Sequence, residues 1–349
     1  MEFDILDTYD LVAVRDDLEP VSTYWLDLCF PNLHQSQSDK IIFEDIDRSK
    51  RLAPFVMPNV QGQPMINRGT SIQAFSPAYL KPKNALDINQ MIRRRVGGPI
   101  GGPRNDLAAR RDALIAQTLA DHEEMITRRE EWMACEAIVK GQVTVYGENY
   151  PSVTIAFGRN PANTKTLTTT RRWTVANAAT STPITDIQGW ALEMQRRSGR
   201  ILTRITLTPA AVQGLYASQQ VQRMLETRRG STLTLETARV DGQNVLSLGT
   251  LPGTGVELYQ YFETYENNQG EEVPYVADGT IVLTGDVQGY RAYGAIMDDD
   301  ANYAPLTRFP SMWKQKDPSG IFMMTQSAPL MIPLRTDATM SVNVADALT

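Results

Sequence analysis

Few side chains in this sequence could support metal binding or histidine catalysis. There are two histidines, His34 and His122, and neither has a partner at the spacing of a metal site. A Ser-His-Asp or Cys-His set cannot be assembled from so few histidines. The 40 acidic residues permit some pair of carboxylates for hydrolysis, but no pattern selects one pair. We therefore predict no catalytic residue, no metal and no cofactor, and we place His122 on a helix surface or at an interface.

Two short motifs imitate ligand-binding loops. The stretch "GGPIGGPR", residues 97–104, has the glycine content of a phosphate loop. A phosphate loop uses consecutive backbone N–H donors, and Pro99 and Pro103 have none. The acidic run "MDDDANY", residues 297–303, lacks the spacing and terminal glutamate of a calcium loop, which favours a solvated turn. We interpret the first stretch as a hinge made by Gly97, Gly98, Gly101 and Gly102.

The charge distribution argues against nucleic acid as the main partner. The net charge is -6, whereas a dedicated nucleic-acid binder is usually basic. In "ETRRGS", residues 226–231, Arg228 and Arg229 fall in the predicted last turn of a helix that Gly230 ends. Cations at that position offset the negative end of the helix dipole, so the pattern has a structural explanation.

Cysteine use and hydropathy indicate the compartment. Two cysteines, Cys29 and Cys135, suggest no disulfide scaffold and fit a reducing compartment. There is no apolar run of about 18 residues, so we predict no membrane-spanning helix and no membrane partner. The acidic start "MEFDILDTYD" lacks the basic region of a secretory signal, and we expect the protein to begin in a cytoplasm.

The strongest structural signal is a long helix over about residues 104–140. Apolar residues recur there at helical spacing, Asn105 can cap the start, and Gly141 can end the helix. About 35 residues at a rise of 1.5 Å give roughly 50 Å, which is more than a small domain needs. We predict a strut whose core residues include Leu114, Ile115, Met125 and Trp132.

An extended, basic segment precedes this helix. The stretch "RGTSIQAFSPAYLKPKNAL", residues 68–86, combines strand-like residues with prolines that confine a strand to a sheet edge. We predict a two-legged arm over about residues 65–95, and such an isolated hairpin is only marginally stable in water. It must therefore lie on another surface, which we assign to a neighbouring copy. The contact residues predicted for that neighbour are Arg68, Phe75, Tyr79, Lys81 and Lys83.

The remaining chain indicates an arm followed by a mixed α and β body. Residues 22–31 read as one amphipathic helix within an N-terminal arm, with Ser22 or Thr23 as its cap. A β-hairpin is predicted over residues 142–158. Helices follow over residues 183–199 and 208–230, the second with Thr208 as cap and Gly230 at its end. Further strands are predicted over residues 201–208, 243–262, 280–284 and in two C-terminal runs.

Several stretches together resemble a known family. They are "RGTSIQAFSPAYLKPK" followed by a triple arginine, "AIVKGQVTVYGE", "LETRRGSTLTLETA", "YVADGTIVLTG" followed by "RAYGAI", and "MMTQSAPLMIP". In this order they resemble the phage major capsid protein E family, the lambda-like major head proteins. The similarity extends from about residue 40 to residue 343. The resemblance implies an α+β chain with the Hong Kong ninety-seven-like phage capsid fold.

The resemblance also assigns the parts of the chain. It implies an N-terminal arm over residues 1–45 and an extended β-hairpin loop with its flanks over residues 46–96. The hinge and the spine helix of a peripheral domain would take residues 97–149. An axial α/β domain would take residues 150–295, and residues 296–349 would return to the peripheral domain.

The function implied by the resemblance is structural. Such a subunit self-assembles into pentamers and hexamers of an icosahedral tailed-phage head that encloses double-stranded DNA. It is assembled in the bacterial host cytoplasm and ends in the virion. The implied partners are copies of itself, scaffold protein, portal protein, a decoration protein at three-fold positions, and packaged DNA without sequence specificity. Family heads assemble on scaffold and expand on packaging.

Three other functions stay open on the sequence alone. One is an encapsulin-like cellular compartment that uses the same fold. Another is a nucleic-acid-binding protein that uses the arginines of a basic helix and of residues 93–95. The third is an enzyme with a carboxylate pair in the α/β part, for which the sequence names no cluster.

Overall fold

A computed structural model describes residues 23–38, 40–46, 61, 70–75, 77–86, 107–147, 150–227, 238–239, 245–251, 255–267, 269–316 and 319–347. The helices are α1 (Tyr24–Cys29), α2 (Leu107–Val139), α3 (Pro183–Ser198), α4 (Pro209–Ala217) and α5 (Gln219–Thr227). The strands up to residue 207 are β1 (Asn32–Gln35), β2 (Ile41–Ile46), β3 (Thr70–Phe75), β4 (Lys83–Leu86), β5 (Gln142–Gly147), β6 (Tyr150–Ala156), β7 (Thr164–Thr166) and β8 (Arg204–Leu207).

The later strands are β9 (Ala238–Arg239), β10 (Val245–Thr250), β11 (Glu257–Tyr261), β12 (Thr264–Glu266), β13 (Glu272–Pro274), β14 (Thr280–Thr284), β15 (Tyr290–Tyr293), β16 (Phe309–Lys316), β17 (Ser319–Gln326), β18 (Pro329–Ile332) and β19 (Thr339–Asn343). Single 3-10 turns lie at residues 161–163, 169–171, 175–177 and 336–338. Across the described ranges, no helix combines the length and apolar character needed to cross a membrane.

The predicted strut is helix α2, which ends at Val139 and is followed by Gly141 with φ +72°. Ile115 and Trp132 are buried, and Leu114 packs against a small cluster with strands β4 and β17. Met125 was placed in the core, and this is wrong because its side chain is 57% exposed. Asp121, Met125 and Arg128 are all exposed. They lie on one face of the helix, because residues three or four positions apart are neighbours on a helix surface.

His122 corrects a second expectation about this helix. The predicted surface histidine is fully buried, and its Nδ1 lies 3.1 Å from the Thr325 hydroxyl on β17. Burial lowers the pKa of this imidazole, which favours the neutral ring. The helix therefore packs on the C-terminal strands along this face rather than presenting the imidazole to solvent.

A seven-stranded sheet organises the axial part in the order β7-β19-β14-β8-β11-β10-β9. Strand β14 is buried along its whole length, and helices α3 and α4 contribute apolar side chains to the same core. Strand β19 pairs with β14 in antiparallel register and with β7 in parallel register. Residues 339–343 therefore belong to this sheet, whose other strands all fall within residues 150–295, and the division into domains stays a prediction.

The predicted helix over residues 208–230 is two helices. It breaks at Ser218, which has extended backbone at ψ 130° and separates α4 from α5. The Ser218 hydroxyl donates to the Ser181 carbonyl at 3.2 Å, so a tertiary contact holds the break. Pro209 does occupy the first position of α4, as predicted, but the Thr208 side chain does not cap it. That hydroxyl donates to the Thr280 carbonyl on β14 at 3.1 Å instead.

The N-terminal helix α1 lies inside the main core rather than in a free arm. Trp25 and Phe30 are fully buried there, with Trp132 of α2 in the same cluster. Strand β1 then pairs in parallel with β15, which pairs with β18. The arm predicted over residues 1–45 is therefore wrong for residues 23–35, because aromatic burial fixes them to the body.

Candidate subunit interface

The structure places the extended hairpin earlier in the chain than predicted. Strands β2 and β3 form a two-stranded antiparallel sheet, with Ile41 opposite Phe75 and Ile46 opposite Thr70. Ile41 is buried and Phe75 packs at the edge of the main core, so the base of the hairpin is fixed to the body. Among the described strands none pairs with its outer edges. The hairpin β2–β3 is one of three two-stranded sheets in the described ranges, with β5–β6 and β12–β13, and its strands are joined by the long connection of residues 47–69.

Residues 77–86 lie on the chain's own body. The Tyr79 hydroxyl donates to the Ala295 carbonyl at 3.0 Å and accepts from the Met297 N–H. Leu80 forms a bridge with Ser327, and β4 pairs with β17 over four residues. Burial raises the pKa of Tyr79, as expected for a phenol enclosed by protein. Tyr79 therefore makes contacts within the subunit, and its predicted contact with a neighbour stays a prediction.

The cations predicted for the neighbour also have partners in this chain. The Lys83 ammonium lies 5.0 Å from the Trp313 ring centre and 4.6 Å from that of Phe322, on strands β16 and β17. The Lys81 ammonium lies 4.9 Å from the Tyr79 ring centre. These cation–π contacts position both side chains against their own subunit. Phe75 likewise packs on its own core, and the contact of these residues with a neighbour stays a prediction.

Several predicted residues fall outside the described part of the chain. These are Arg68, the hinge residues Gly97, Gly98, Gly101 and Gly102, the helix cap Asn105, the arginines at 93–95, and Arg228, Arg229 and Gly230. The hinge therefore stays a prediction.

A buried ionic cluster ties the long helix to the C-terminal strands. Arg308 donates to both Glu130 carboxylate oxygens at 2.6 and 2.9 Å, and its Nε donates to Glu123 at 3.1 Å. The Tyr293 hydroxyl donates to Glu130 at 3.0 Å. The sequence analysis missed this cluster, because Arg308 is 178 residues away from Glu130. The available signal was the pair of glutamates directly before the apolar run "WMAC" of the helix.

The second glutamate of that pair holds the N-terminal helix. Glu131 Oε1 accepts the N–H groups of Tyr24 and Trp25 at 3.1 and 2.7 Å, and its Oε2 accepts the Leu26 N–H at 3.1 Å. It thereby satisfies donors that the first turn of α1 leaves without helical partners. Burial raises the pKa of Glu131 to about 7, although these N–H bonds act in the opposite direction. Nearby Glu263 and Asp27 raise the pKa further.

A cleft of about 330 Å³ opens beside the same helix, and we name it the helix cleft. Three elements line it, namely residues 78–82, one face of α2 and the end of β5. Its α2 wall includes Met125, Arg129 and Trp132, and its β5 wall includes Tyr146. In the ranges covered by the structure, no group of three or more His, Cys, Asp or Glu side chains is placed to hold a metal ion.

Comparisons with known proteins explain this arrangement of hairpin, strut and sheet. The family model for phage major capsid protein E matches residues 7–344. The major capsid protein of Escherichia phage lambda is 32% identical over 346 residues, which cover 97% of this chain and 98% of the relative. The major capsid protein of Enterobacteria phage phi80 is also 32% identical, with 97% and 98% covered.

Solved structures agree on the fold. A crystal structure described as a prophage capsid protein of Escherichia coli CFT073 superimposes with a TM-score of 0.74 at 22% identity, covering 97% of this chain and 99% of that one. A phage-related protein of Bordetella bronchiseptica gives a TM-score of 0.54 at 12% identity, covering 99% of both chains. The predicted Hong Kong ninety-seven-like α+β capsid fold is confirmed.

The relatives are structural proteins, and capsid proteins of this kind self-assemble into a component of the virion. The absence of an enzymatic function, predicted from the sequence, is confirmed by the family. The chain belongs to the phage major capsid protein E family, and it is a structural subunit of a tailed-phage head.

Proposed function

We propose that this subunit forms the pentamers and hexamers of an icosahedral head, and that hairpin β2–β3 supplies a principal contact between neighbouring copies. The single observation that carries this proposal is the two-stranded sheet β2–β3 described above, with its long connection. A two-stranded sheet is marginal in water alone and gains stability when another surface covers it. Each copy both gives a hairpin and receives one, and such a head-to-tail contact closes into rings.

The contacts within the subunit that are described above lead us to propose a different set of interface residues. Tyr79, Lys81 and Lys83 stabilise the subunit itself, and the neighbour contact moves to the hairpin and the residues that connect its strands, 47–69. That connecting segment carries four cations and one carboxylate, so its partner surface on the neighbour is acidic. Exposed ion pairs contribute about 0–1 kcal/mol each, which sets register more than affinity.

Further partners follow from the role of a head subunit. We propose that scaffold protein and portal protein bind this chain during assembly, and that a decoration protein binds at three-fold positions. Packaged DNA contacts the shell without sequence specificity, because a net charge of -6 offers phosphate little attraction. The hinge glycines Gly97, Gly98, Gly101 and Gly102 let the arm of residues 65–95 reorient relative to α2 when the head expands.

The test shortens the hairpin without disturbing the body. Ile46 and Thr70 lie directly opposite each other, so an Asn-Gly turn in place of residues 47–69 closes the two strands. We expect a subunit of normal thermal stability that no longer yields closed particles by negative-stain microscopy of cells expressing it with its scaffold. Replacing residues 317–318 between β16 and β17 with Asn-Gly is the matched control, since Lys316 lies opposite Ser319. Normal particles from the shortened hairpin would overturn the proposal.

A further inference from the structure

The helix cleft leaves large apolar side chains in solvent. Met125 is 57% exposed on its α2 wall and Tyr146 is 56% exposed on its β5 wall. Between them the Trp132 ring forms a nearly buried floor, with its centre 6.4 Å from that of Tyr146. An apolar patch of this kind on a concave surface is typical of a binding site for another segment.

Two cations give the cleft its charge preference. The Arg129 guanidinium lies 5.2 Å from the Trp132 ring centre, and the Lys81 ammonium lies 4.9 Å from the Tyr79 ring centre. Within the described ranges neither forms an ion pair, whereas the adjacent Arg128 pairs with Glu124. The cleft therefore fits an occupant that carries both apolar side chains and carboxylates.

A comparison of the charges of three segments of this chain favours one of them as the occupant of the cleft. Residues 1–22 contain seven carboxylates and one arginine, interspersed with eight large apolar side chains. The hairpin connection, residues 47–69, carries four cations against one carboxylate, and residues 87–106 carry four cations against two. Either basic segment would be repelled by Lys81 and Arg129, so the N-terminal segment is the complementary one.

The attachment point of that segment lies at the same level of α2 as the cleft. Residues 1–22 join the body at α1, where Glu131 accepts the Tyr24 N–H at 3.1 Å. Glu131 and Arg129 are two positions apart on α2, which corresponds to about 3 Å along the helix axis and to nearly opposite faces of the helix. A segment of 22 residues spans up to about 70 Å when extended, so it crosses the width of one helix with ample length.

We propose that the helix cleft is the receptor for the acidic N-terminal segment, residues 1–22, of the same chain. The apolar side chains of the segment cover Met125 and Tyr146, and its carboxylates pair with Lys81 and Arg129. Because α1 is fixed to one side of α2 and the cleft lies beside it, the segment straps the long helix within the subunit.

Photo-cross-linking on the full chain tests this assignment. The photo-reactive residue p-benzoylphenylalanine replaces Tyr146 in the cleft, and a second variant carries it at Val175, which is also exposed but does not line the cleft. Equal amounts of 14N- and 15N-labelled protein are mixed before irradiation, and cross-linked peptides are mapped by mass spectrometry. We expect cross-links from position 146 to residues 1–22 that contain one isotope only, and none to that segment from position 175.

Charge reversal separates a specific site from chance proximity. The double variant Lys81→Glu and Arg129→Glu is expected to lower the cross-linking yield about tenfold. Its matched control is Arg128→Glu with Lys140→Glu, which reverses two exposed cations that do not line the cleft and leaves the yield unchanged. Should the first variant fail to fold, the wild-type yield at 1 M salt is compared with that at 0.1 M, because salt screens exposed pairs.

Each outcome of these experiments either supports the proposal or overturns it. One-isotope cross-links to residues 1–22 that weaken with charge reversal or with salt support the proposal. Cross-links to residues 47–69, mixed-isotope cross-links to residues 1–22, or an equal yield from positions 146 and 175 would each overturn it.

Discussion

Arg308 and Glu130 form a two-bond ion pair inside the subunit, with donor–acceptor distances of 2.6 and 2.9 Å. Both side chains are almost completely buried, and the pair joins the middle of α2 to the start of β16. It therefore fixes the strut to the β16–β17 pair, which also carries β4.

Removing one partner of this pair leaves an uncompensated buried charge. We expect Arg308→Met to lower the free energy of unfolding of the subunit by about 3–5 kcal/mol. Adding Glu130→Met should recover part of that loss, because no buried charge then lacks its partner. Urea unfolding of dissociated subunits measures the free energy of unfolding of the single and the double variant. Arg128→Met is the control, since that exposed pair with Glu124 contributes about 0–1 kcal/mol. Equal losses at both arginines would contradict the structure.

Glu131 predicts a pH dependence of stability. Burial raises the pKa of Glu131 from 4.5 to about 7, so between these values the folded state binds more protons than the unfolded chain. Stability attributable to this group is therefore present at pH 5 and is lost as pH rises through 7, by up to about 3 kcal/mol. Unfolding by urea at pH 5, 6, 7 and 8 should show this slope in the wild type and not in Glu131→Gln. Parallel slopes in the two proteins would refute it.

Two helical glycines predict opposite effects of the same substitution. A Cβ on Gly214 in α4 would lie 2.0 Å from the Trp173 carbonyl oxygen, whereas a Cβ on Gly189 in α3 meets nothing within 4 Å. We expect Gly214→Ala to destabilise the subunit by about 1–3 kcal/mol through the backbone clash. Gly189→Ala should stabilise it by about 0.5–1 kcal/mol, because alanine is the better helix former. Thermal unfolding of both variants measures these changes in stability. A Gly214→Ala subunit that is more stable than the wild type would be incompatible with the packing of α4 against Trp173.

The contacts of Tyr79 within the subunit predict a loss of subunit stability when its hydroxyl is removed. Tyr79→Phe removes the hydrogen bond to the Ala295 carbonyl, which should cost about 1–2 kcal/mol of subunit stability. The control is Tyr290→Phe, whose side chain is 37% exposed. Stability is measured on dissociated subunits, and particle yield is measured separately. If Tyr79→Phe left stability intact and abolished only assembly, the neighbour assignment would be restored.

The hinge glycines predict a defect confined to expansion. Replacing Gly97, Gly98, Gly101 and Gly102 together with alanine restricts the backbone there. We expect heads that assemble at the normal diameter but expand slowly or incompletely when packaging is triggered. Particle diameters from electron microscopy, before and after the trigger, provide the measurement. The Gly189→Ala protein serves as the glycine control, and normal expansion of the fourfold variant would exclude the hinge.

Local patterns predicted the elements well, and long-range contacts account for the errors. The end of helix α2 was predicted to within one residue, because helical spacing and the stop at Gly141 are local signals. The break at Ser218 was missed because the contact that holds it, to the Ser181 carbonyl, is tertiary.

The sequence identified the protein family better than it identified the residues of the subunit interface. The aromatic and basic residues 75–83 were predicted to contact a neighbour, and Lys83 also lies against Trp313 on β16, more than 200 residues later in the chain. Nothing in the local pattern of an extended, proline-broken segment states which surface it will lie on. The resemblance in motif order identified the family, because it draws on the whole chain rather than on any one pattern.

Strand β19 sits between β14 and β7 and pairs with both. Loss of residues 339–343 would therefore do more than remove one strand, because β7 would also lose its only pairing to this sheet in the described ranges.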